Sequence, residues 1–393
     1  MKVISALPIK GESYLLEYCG KKILVDGGYA SSTLVPALKR QLGTERVHLD
    51  VVVCTHGDID HAGGLTDIVN HSDISVSEFW LPGSWSDVIE ELVGNPDFFY
   101  KEVVEEIKIN MDAAKKLLTY EEGEVDNEIN EICKNLVVKD DLEVPREGRK
   151  LFLTPSDRSG EVAAKNAKRR IKRFISKTGV SEKLIDLIDT AEIIRKIALS
   201  AYTKGVPVRW FDYIAYSRYR IASGGEIFLR PINAKELLEP SSLRAFPFWR
   251  LAALSRANRE SLVFLSSGRD AHVEVLFCGD SPLGDGPGYR NSFLEKMQSF
   301  TPLIVTAPHH GADSNAVAYK HIAAFGQVAF WIRAGGKTSH PESAYRKISP
   351  RLRTCTHCPH NGLPLQSVCI TDKCGGFVDP DAWLTVRSHD CTC

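Results

Sequence analysis

The chain is 393 residues long, 43% apolar and 25% charged, with 49 basic side chains against 50 acidic ones. That length can bury a large core and that mixture is typical of globular proteins, so a disordered or fibrous chain is excluded. A formal net charge of -1 excludes bulk attraction of the whole protein to nucleic acid or membrane, which leaves only local charge to provide it.

Residues 1–8 are too short an apolar run for a signal peptide. No stretch reaches the ~18 uninterrupted apolar residues of a membrane span, so a cytoplasmic location without a membrane partner is expected. Residues 3–7, 14–19 and 22–25 read as short strands, the last ending at Asp26-Gly27-Gly28, where glycine permits a tight turn. Ser31-Ser32-Thr33 offers caps for a helix through about residue 42, with Leu34, Val35, Leu38 and Leu42 on one face.

A buried strand over residues 49–54 then delivers Cys54-Thr55-His56-Gly57-Asp58-Ile59-Asp60-His61-Ala62-Gly63-Gly64. Two imidazoles and two carboxylates within six residues, gathered where a strand ends, call for a cation among them. Another strand ends at Pro82. Residues 96–204 turn rich in Lys, Glu and Ile and read as helices, including 102–118 and 181–199. Within them Lys165, Lys168, Arg169, Arg170, Lys172, Arg173 and Lys177 form a basic run. Such a run either grips phosphates or forms the wet face of a helix whose Ile171, Phe174 and Ile175 pack inward.

Strand character returns at 206–216, 226–231, 261–266 and 272–278, the last running into Gly279-Asp280-Ser281. A helix over 291–299 precedes strand 303–307, which delivers Pro308-His309-His310-Gly311-Ala312-Asp313-Ser314. Strand 328–333 comes before His340-Pro341-Glu342. Carboxylates and histidines recurring at strand tips mark the chemistry-bearing edge of a layered α/β fold.

These residues resemble the metallo-β-lactamase superfamily. Asp26 is similar to its first acidic motif, His56 to His61 to its HxHxDH metal motif in the variant form HxDxDH, Asp280 to its bridging aspartate, and His309-His310 to its last ligand histidine. With Asn258-Arg259-Glu260-Ser261, Cys278-Gly279-Asp280 and His340-Pro341, the series resembles the metallo-β-lactamase-like domain of the competence protein ComEC and its stand-alone soluble relatives. The resemblance implies an αββα sandwich, a dinuclear metal site at one edge of two sheets, and nuclease or phosphodiesterase activity. The further histidine that many superfamily members carry before the bridging aspartate is absent, its place being held by residues 258–261, so one ion has more oxygen ligands.

The resulting ligand expectation has Asp60, His61, Asp280 and one of His309 or His310 on one divalent ion, and His56, Asp58 and Asp280 on the other. An ion-bound hydroxide is then the nucleophile. Oxygen-rich ligation makes manganese a candidate beside zinc. Asp60 is expected at the chemistry, and His340 or the spare histidine of the pair would give the leaving group its proton. Asp26, Asn258, Ser261, Gly311 and Ser314 are read as supporting ligands or meeting substrate.

The domain reading is 1–95 and 205–350 as two halves of one metallo-β-lactamase-like domain, 96–204 as a partly basic helical insertion, and 351–393 as a Cys/His-rich tail. Six of the ten cysteines (Cys355, Cys358, Cys369, Cys374, Cys391 and Cys393) fall in that tail, which points to an additional structural zinc or to oxidisable thiols. The functional expectation is a metal-dependent phosphodiesterase or nuclease acting on DNA or other nucleic acid. Its alternatives are a hydrolase of a small ester, lactone or cyclic nucleotide, and a non-catalytic nucleic-acid or partner-binding module. The insertion is the surface for either nucleic acid or a protein partner.

Overall fold

The computed structural model describes residues 1–109, 157–174, 179–238, 260–268, 272–295, 297–336, 339–358, 365–372, 384–387 and 391–393. Asn258, Cys374, Lys177 and the end of the helix expected over 102–118 lie outside them.

The chain opens with β1 (Val3–Ala6), β2 (Tyr14–Tyr18), β3 (Lys21–Val25), α1 (Leu34–Leu42), β4 (Val47–Val53), α2 (Ile59–Ala62), α3 (Leu65–Asn70) and β5 (Ile74–Pro82). Helices α4 (Ser86–Gly94), α5 (Pro96–Ile109), α6 (Asp157–Phe174) and α7 (Gly179–Thr203) lead to β6 (Val208–Asp212), α8 (Tyr213–Tyr219), β7 (Arg230–Pro231) and β8 (Lys235–Leu237). Next come β9 (Phe264–Ser266), β10 (Glu274–Phe277), β11 (Gly284–Asp285), β12 (Asn291–Ser292), β13 (Leu303–Thr306), α9 (Ala316–Phe325) and β14 (Val328–Arg333). Last are α10 (Ser343–Arg346), β15 (Arg353–Cys355), β16 (Val368–Asp372) and β17 (Leu384–Arg387).

Among the described residues one sheet has nine strands in the order β17-β16-β1-β2-β3-β4-β5-β6-β8, and a second has six in the order β15-β14-β13-β10-β9-β7. Strand alternation sorts the side chains into layers. Tyr14, Leu16, Ile23 and Val25 of the first sheet meet Val275, Phe277, Ile304 and Ile332 of the second in one buried cluster. Leu15, Leu24 and Leu49 point the other way, into a cluster with helices α1 and α3 to α7. Leu276, Leu303 and Val305 point outward from the second sheet onto Tyr216 of α8 and Ala318 and Ile322 of α9. The result is a mixed α/β sandwich with helices outside both sheets, consistent with the expected αββα arrangement.

Parallel strands need a crossover. β5 pairs in parallel with β6, and the chain between them runs through α4 to α7. Phe99, Val103 and Ile107 of α5, Ala163, Ala167 and Ile171 of α6, and Leu187, Ala191 and Ile194 of α7 belong to the same apolar cluster as α1 and α3. The described helices of the 96–204 segment therefore cover the first sheet.

Two local expectations are corrected. The strand expected over 206–216 stops at Asp212, whose side chain caps α8 by accepting the Ala215 N–H. In place of a helix over 291–299, β12 pairs with β11 and turns follow, because backbone pairing with Gly284 and Asp285 outweighs the helical spacing of the apolar residues. The Cys/His-rich tail adds β16 antiparallel to β1 and buries Val368 and Ile370 between the sheets. Among the described residues no helix is long and apolar enough to cross a membrane.

Candidate metal centre

Six segments bring their donors to one edge of the sandwich. Asp26 follows β3, His56 to His61 follow β4 and enter α2, Asp280 follows β10, and His309 and His310 follow β13. Glu12 comes from the β1–β2 turn and Ala334 from the end of β14. The main chain locks these segments together: Glu12 N donates to Asp60 O at 2.8 Å, Gly27 N to His61 O at 2.6 Å, and His309 N to Gly279 O at 3.0 Å.

Hydrogen bonds on the far side of each ring fix which nitrogen faces the centre. Asp26 Oδ2 accepts from His61 Nδ1 at 2.8 Å and from Thr55 Oγ1 at 2.7 Å, while its Oδ1 accepts from Thr55 N at 2.8 Å. His310 Nδ1 sits 3.0 Å from the Ala334 carbonyl, which only accepts, so that nitrogen carries the proton. His56 Nδ1 sits 2.9 Å from Thr55 Oγ1, whose own proton goes to Asp26, and 3.3 Å from Ser261 Oγ. In the neutral rings all three Nε2 atoms therefore turn a lone pair inward.

Those lone pairs converge on carboxylates. His61 Nε2 is 3.3 Å from His310 Nε2 and 3.1 Å from Asp280 Oδ1, and His310 Nε2 is 3.1 Å from Asp60 Oδ2. On the other side of Asp280, Oδ2 is 3.6 Å from His56 Nε2 and 3.5 Å from His309 Nε2, and His56 Nε2 is 3.9 Å from Asp58 Oδ2. Ligands about 2.1 Å from a tetrahedral ion stand about 3.4 Å apart, so these separations fit donors that share an ion. His56 Nε2 and Asp280 Oδ1 are buried and make no hydrogen bond among the described residues, which is costly without a cation. The residues present fit divalent ions, with the two oxygens of Asp280 facing two donor groups.

Electrostatics agree. Burial, the largest single effect, lowers the pKa of His61 and His310, but it is outweighed by the carboxylates together: Asp280 and Asp26 at His61, and Asp280, Asp60 and Glu12 at His310. His61 rises well above the imidazole range and His310 is pushed up to about 10. Burial would raise Asp280, yet the facing His61, His310 and His56 hold it well below the usual carboxylate range. Protons or metal ions must neutralise this donor set.

Side-chain exposure is 40% for Asp58, 22% for His309 and 21% for Asp60, against 3% or less for His56, His61, Asp280 and His310. The open face of the centre is thus the side of Asp58, Asp60 and His309. His340 is half-buried beside it, with its ring centroid 6.1 Å from that of His309 and 6.2 Å from that of His310. Burial first, then the neighbouring His310 and His309, lower its pKa below the ordinary imidazole value.

Ser261 lies behind the donors, where its Oγ accepts the Asp280 N–H at 3.1 Å. Ser314 Oγ is 3.2 Å from His309 Nδ1. Gly311 is buried at φ 85°, and a Cβ there would come 2.9 Å from Pro341 Cβ, so packing accounts for this glycine. Glu12 was not singled out in the sequence: it is buried, with Oε2 3.2 Å from His310 Nδ1. At Gly57 a Cβ would meet Thr190 Cγ2 of α7 at 2.7 Å, so the crossover helices press directly on the His56–His61 loop.

On α6, Lys165, Arg169, Arg170, Lys172 and Arg173 are exposed, whereas Lys168 is paired with Asp189. In the tail, Cys355, Cys358, Cys391 and Cys393 come together, but Cys369 does not join them. It sits in β16 with Sγ 4.0 Å from Thr371 Oγ1, because strand pairing with β1 sets its position.

No curated protein matches the chain. The His56–His61 loop and Asp26 fall within a segment that a family model matches, while Asp280, His309 and His310 lie beyond it. That segment, residues 8–90, matches the metallo-beta-lactamase superfamily, whose members are mostly metal-dependent hydrolases that bind divalent ions.

Proposed function

We propose that this protein is a phosphodiesterase that cleaves nucleic acid. The observation that carries the reading is the division of Asp280 between two donor groups, one of them unusually rich in oxygen because Asp58 stands where many superfamily members have histidine. Asp60, His61, Asp280 and His310 would hold one ion; His56, Asp58 and Asp280 would hold the other, with His309 within reach. When bound, such ions supply Lewis acidity toward a phosphoryl oxygen and lower the pKa of water. A hard, carboxylate-rich set favours manganese or magnesium over a purely imidazole set and suits the oxygens of a phosphodiester. The exposed basic residues of α6 support a polyanionic substrate.

The protein's own groups then have separable tasks. Asp26 and the Ala334 carbonyl hold the Nδ1 protons of His61 and His310 so that Nε2 stays a donor. Thr55 and Ser261 do the same for His56. His340, whose lowered pKa leaves it neutral near pH 7, would hydrogen-bond the leaving oxygen through its N–H, and the oxygen would take its proton from solvent.

The test incubates the full chain with plasmid, single-stranded DNA and bis-p-nitrophenyl phosphate in Mn²⁺, Zn²⁺ or EDTA. Metal-dependent cleavage of DNA that vanishes in Asp60→Ala is the expected result. Turnover of the small ester alone would replace the nucleic-acid reading with one of small-molecule hydrolysis. Clean metal binding without any turnover would make the protein a binding module.

A further inference from the structure

A second cluster, chemically unlike the first, lies behind the His309-His310 turn. Cys355 ends β15, Cys358 follows after two residues, and Cys391 and Cys393 arrive from the end of the chain. Their sulfurs all lie within 4.8 Å of one another: 3.3 Å from Cys358 to Cys393, 3.4 Å from Cys355 to Cys393, and 3.9 Å from Cys358 to Cys391. None of the four is in a disulfide, which would bring two sulfurs to about 2.05 Å. With Zn–S bonds of about 2.3 Å, the sulfurs of a tetrahedral site stand about 3.8 Å apart, close to what is seen. Thr392 donates to Cys358 Sγ from its backbone N–H at 3.3 Å and from its hydroxyl at 3.7 Å, and donors aimed at sulfur favour the thiolate.

Two buried arginines make the charge requirement explicit. Arg333 and Arg353 are 1% and 5% exposed, and among the described residues no Asp or Glu side chain is paired with either. Arg333 donates from Nε to His310 O at 2.8 Å and from Nη2 to Gly335 O at 3.1 Å, with Nη1 3.9 Å from Cys393 Sγ. Arg353 donates from Nη1 to Tyr345 O at 2.8 Å and from Nη2 to Cys393 O at 2.6 Å. A guanidinium keeps its proton when buried, so it needs a counter-anion. Four thiolates around one dication leave two negative charges, which the Arg333 guanidinium beside Cys393 Sγ helps to offset.

We propose that Cys355, Cys358, Cys391 and Cys393 bind one zinc ion as a tetrathiolate, releasing their thiol protons to solvent, and that Arg333 couples this ion to the candidate metal centre. Arg333 is a positioning residue. His309 and His310 both adopt left-handed backbone angles, with φ 47° and 54°, a conformation that persists only where surrounding contacts enforce it. The Arg333 bond to the His310 carbonyl is one such contact, and the thiolate site anchors the opposite end of the same guanidinium.

The test is spectroscopic and uses the full chain. Replacing zinc by Co²⁺ gives a thiolate-to-cobalt charge-transfer band in the near ultraviolet only where sulfur ligates, and the centre around Asp280 contains no sulfur. The band is expected in the wild type and in His61→Ala, and is lost in Cys358→Ser and Cys391→Ser together with one zinc per chain. Absence of the band in wild-type protein, or rapid reaction of all four thiols with a disulfide reagent in the zinc-loaded protein, would overturn the site whether or not the serine variants fold. For the coupling, Arg333→Gln should weaken divalent-ion binding at the His61–His310 centre about tenfold, the scale expected of a lost orienting contact. Arg333→Lys should recover part of it. A folded Arg333→Gln protein with wild-type affinity there would overturn the coupling and leave the zinc site standing.

Discussion

Asp26→Asn isolates the group that sets the His61 tautomer. The change keeps size and shape but turns the oxygen that accepts from both His61 Nδ1 and Thr55 Oγ1 into an amide donor, while the other oxygen can still accept from Thr55 N. Facing a donor, His61 must move its proton to Nε2, the atom 3.1 Å from Asp280 Oδ1 and 3.3 Å from His310 Nε2. That proton occupies the lone pair a metal ion would use. Loss of such an orienting partner lowers metal affinity roughly 10- to 100-fold, or about 1.4 to 2.7 kcal/mol. The assay is a competition titration of Zn²⁺ and Mn²⁺ against a chromophoric chelator, with circular dichroism to verify the fold. A folded Asp26→Asn protein that binds both ions as tightly as the wild type would refute the tautomer argument.

Gly57→Ala puts a methyl group 2.7 Å from Thr190 Cγ2 and should destabilise the fold by about 1–3 kcal/mol, read as a lower midpoint in urea unfolding. Metal removal has a definite pH signature. Without an ion, His310 has a folded-state pKa of about 10 against 6.5 for a free imidazole, so its contribution to stability is full below pH 6.5 and is lost as pH rises toward 10. Melting in EDTA should therefore show that contribution fading over this range, while the rise in melting temperature on adding Zn²⁺ grows, because the ion displaces that proton. Equal metal stabilisation at pH 6 and 9 would contradict it. Asp58→His should shift metal preference from Mn²⁺ toward Zn²⁺, measured as the ratio of the two affinities. Replacing Arg169, Arg170 and Arg173 by Glu should weaken DNA binding and flatten its salt dependence without changing metal content; unchanged affinity across a salt series would make the run only a solvated face.

Much of the candidate centre is legible locally, because each of its main donors sits just beyond an apolar strand. Asp26, His56 to His61, Asp280 and His309-His310 stand out in this way, and the structure gathers them. Glu12 does not, since an acid between Gly11 and Ser13 looks like an ordinary hairpin turn. Its burial follows from main-chain bonds to Asp60 and Gly28 that no local pattern encodes. The different settings of His309 and His310 depend on two left-handed residues in succession and on the Ala334 carbonyl, a contact from another strand. Composition marks 96–204 as helical, but its share in the same core as α1 and α3 emerges only once β5 and β6 are known to pair in parallel. The cysteines were visible as a group, whereas the sorting of Cys369 away from the other four follows from β16 adding to β1.

That last pairing constrains the order of events as the chain is made. Val3 to Ala6 find partners in Tyr14 to Glu17 almost at once, but on the other side they wait for Val368 to Thr371. Lys2 likewise waits for the carbonyls of Ser266 and Val273, which its ammonium reaches at 2.8 and 3.0 Å. Throughout most of synthesis the first strand is therefore an open edge, able to pair with any other extended segment nearby. A ribosome-bound nascent chain should keep the amides of β1 that face β16 exchangeable until residue 372 has emerged, so the segment that covers this edge also ends its exposure to misassembly.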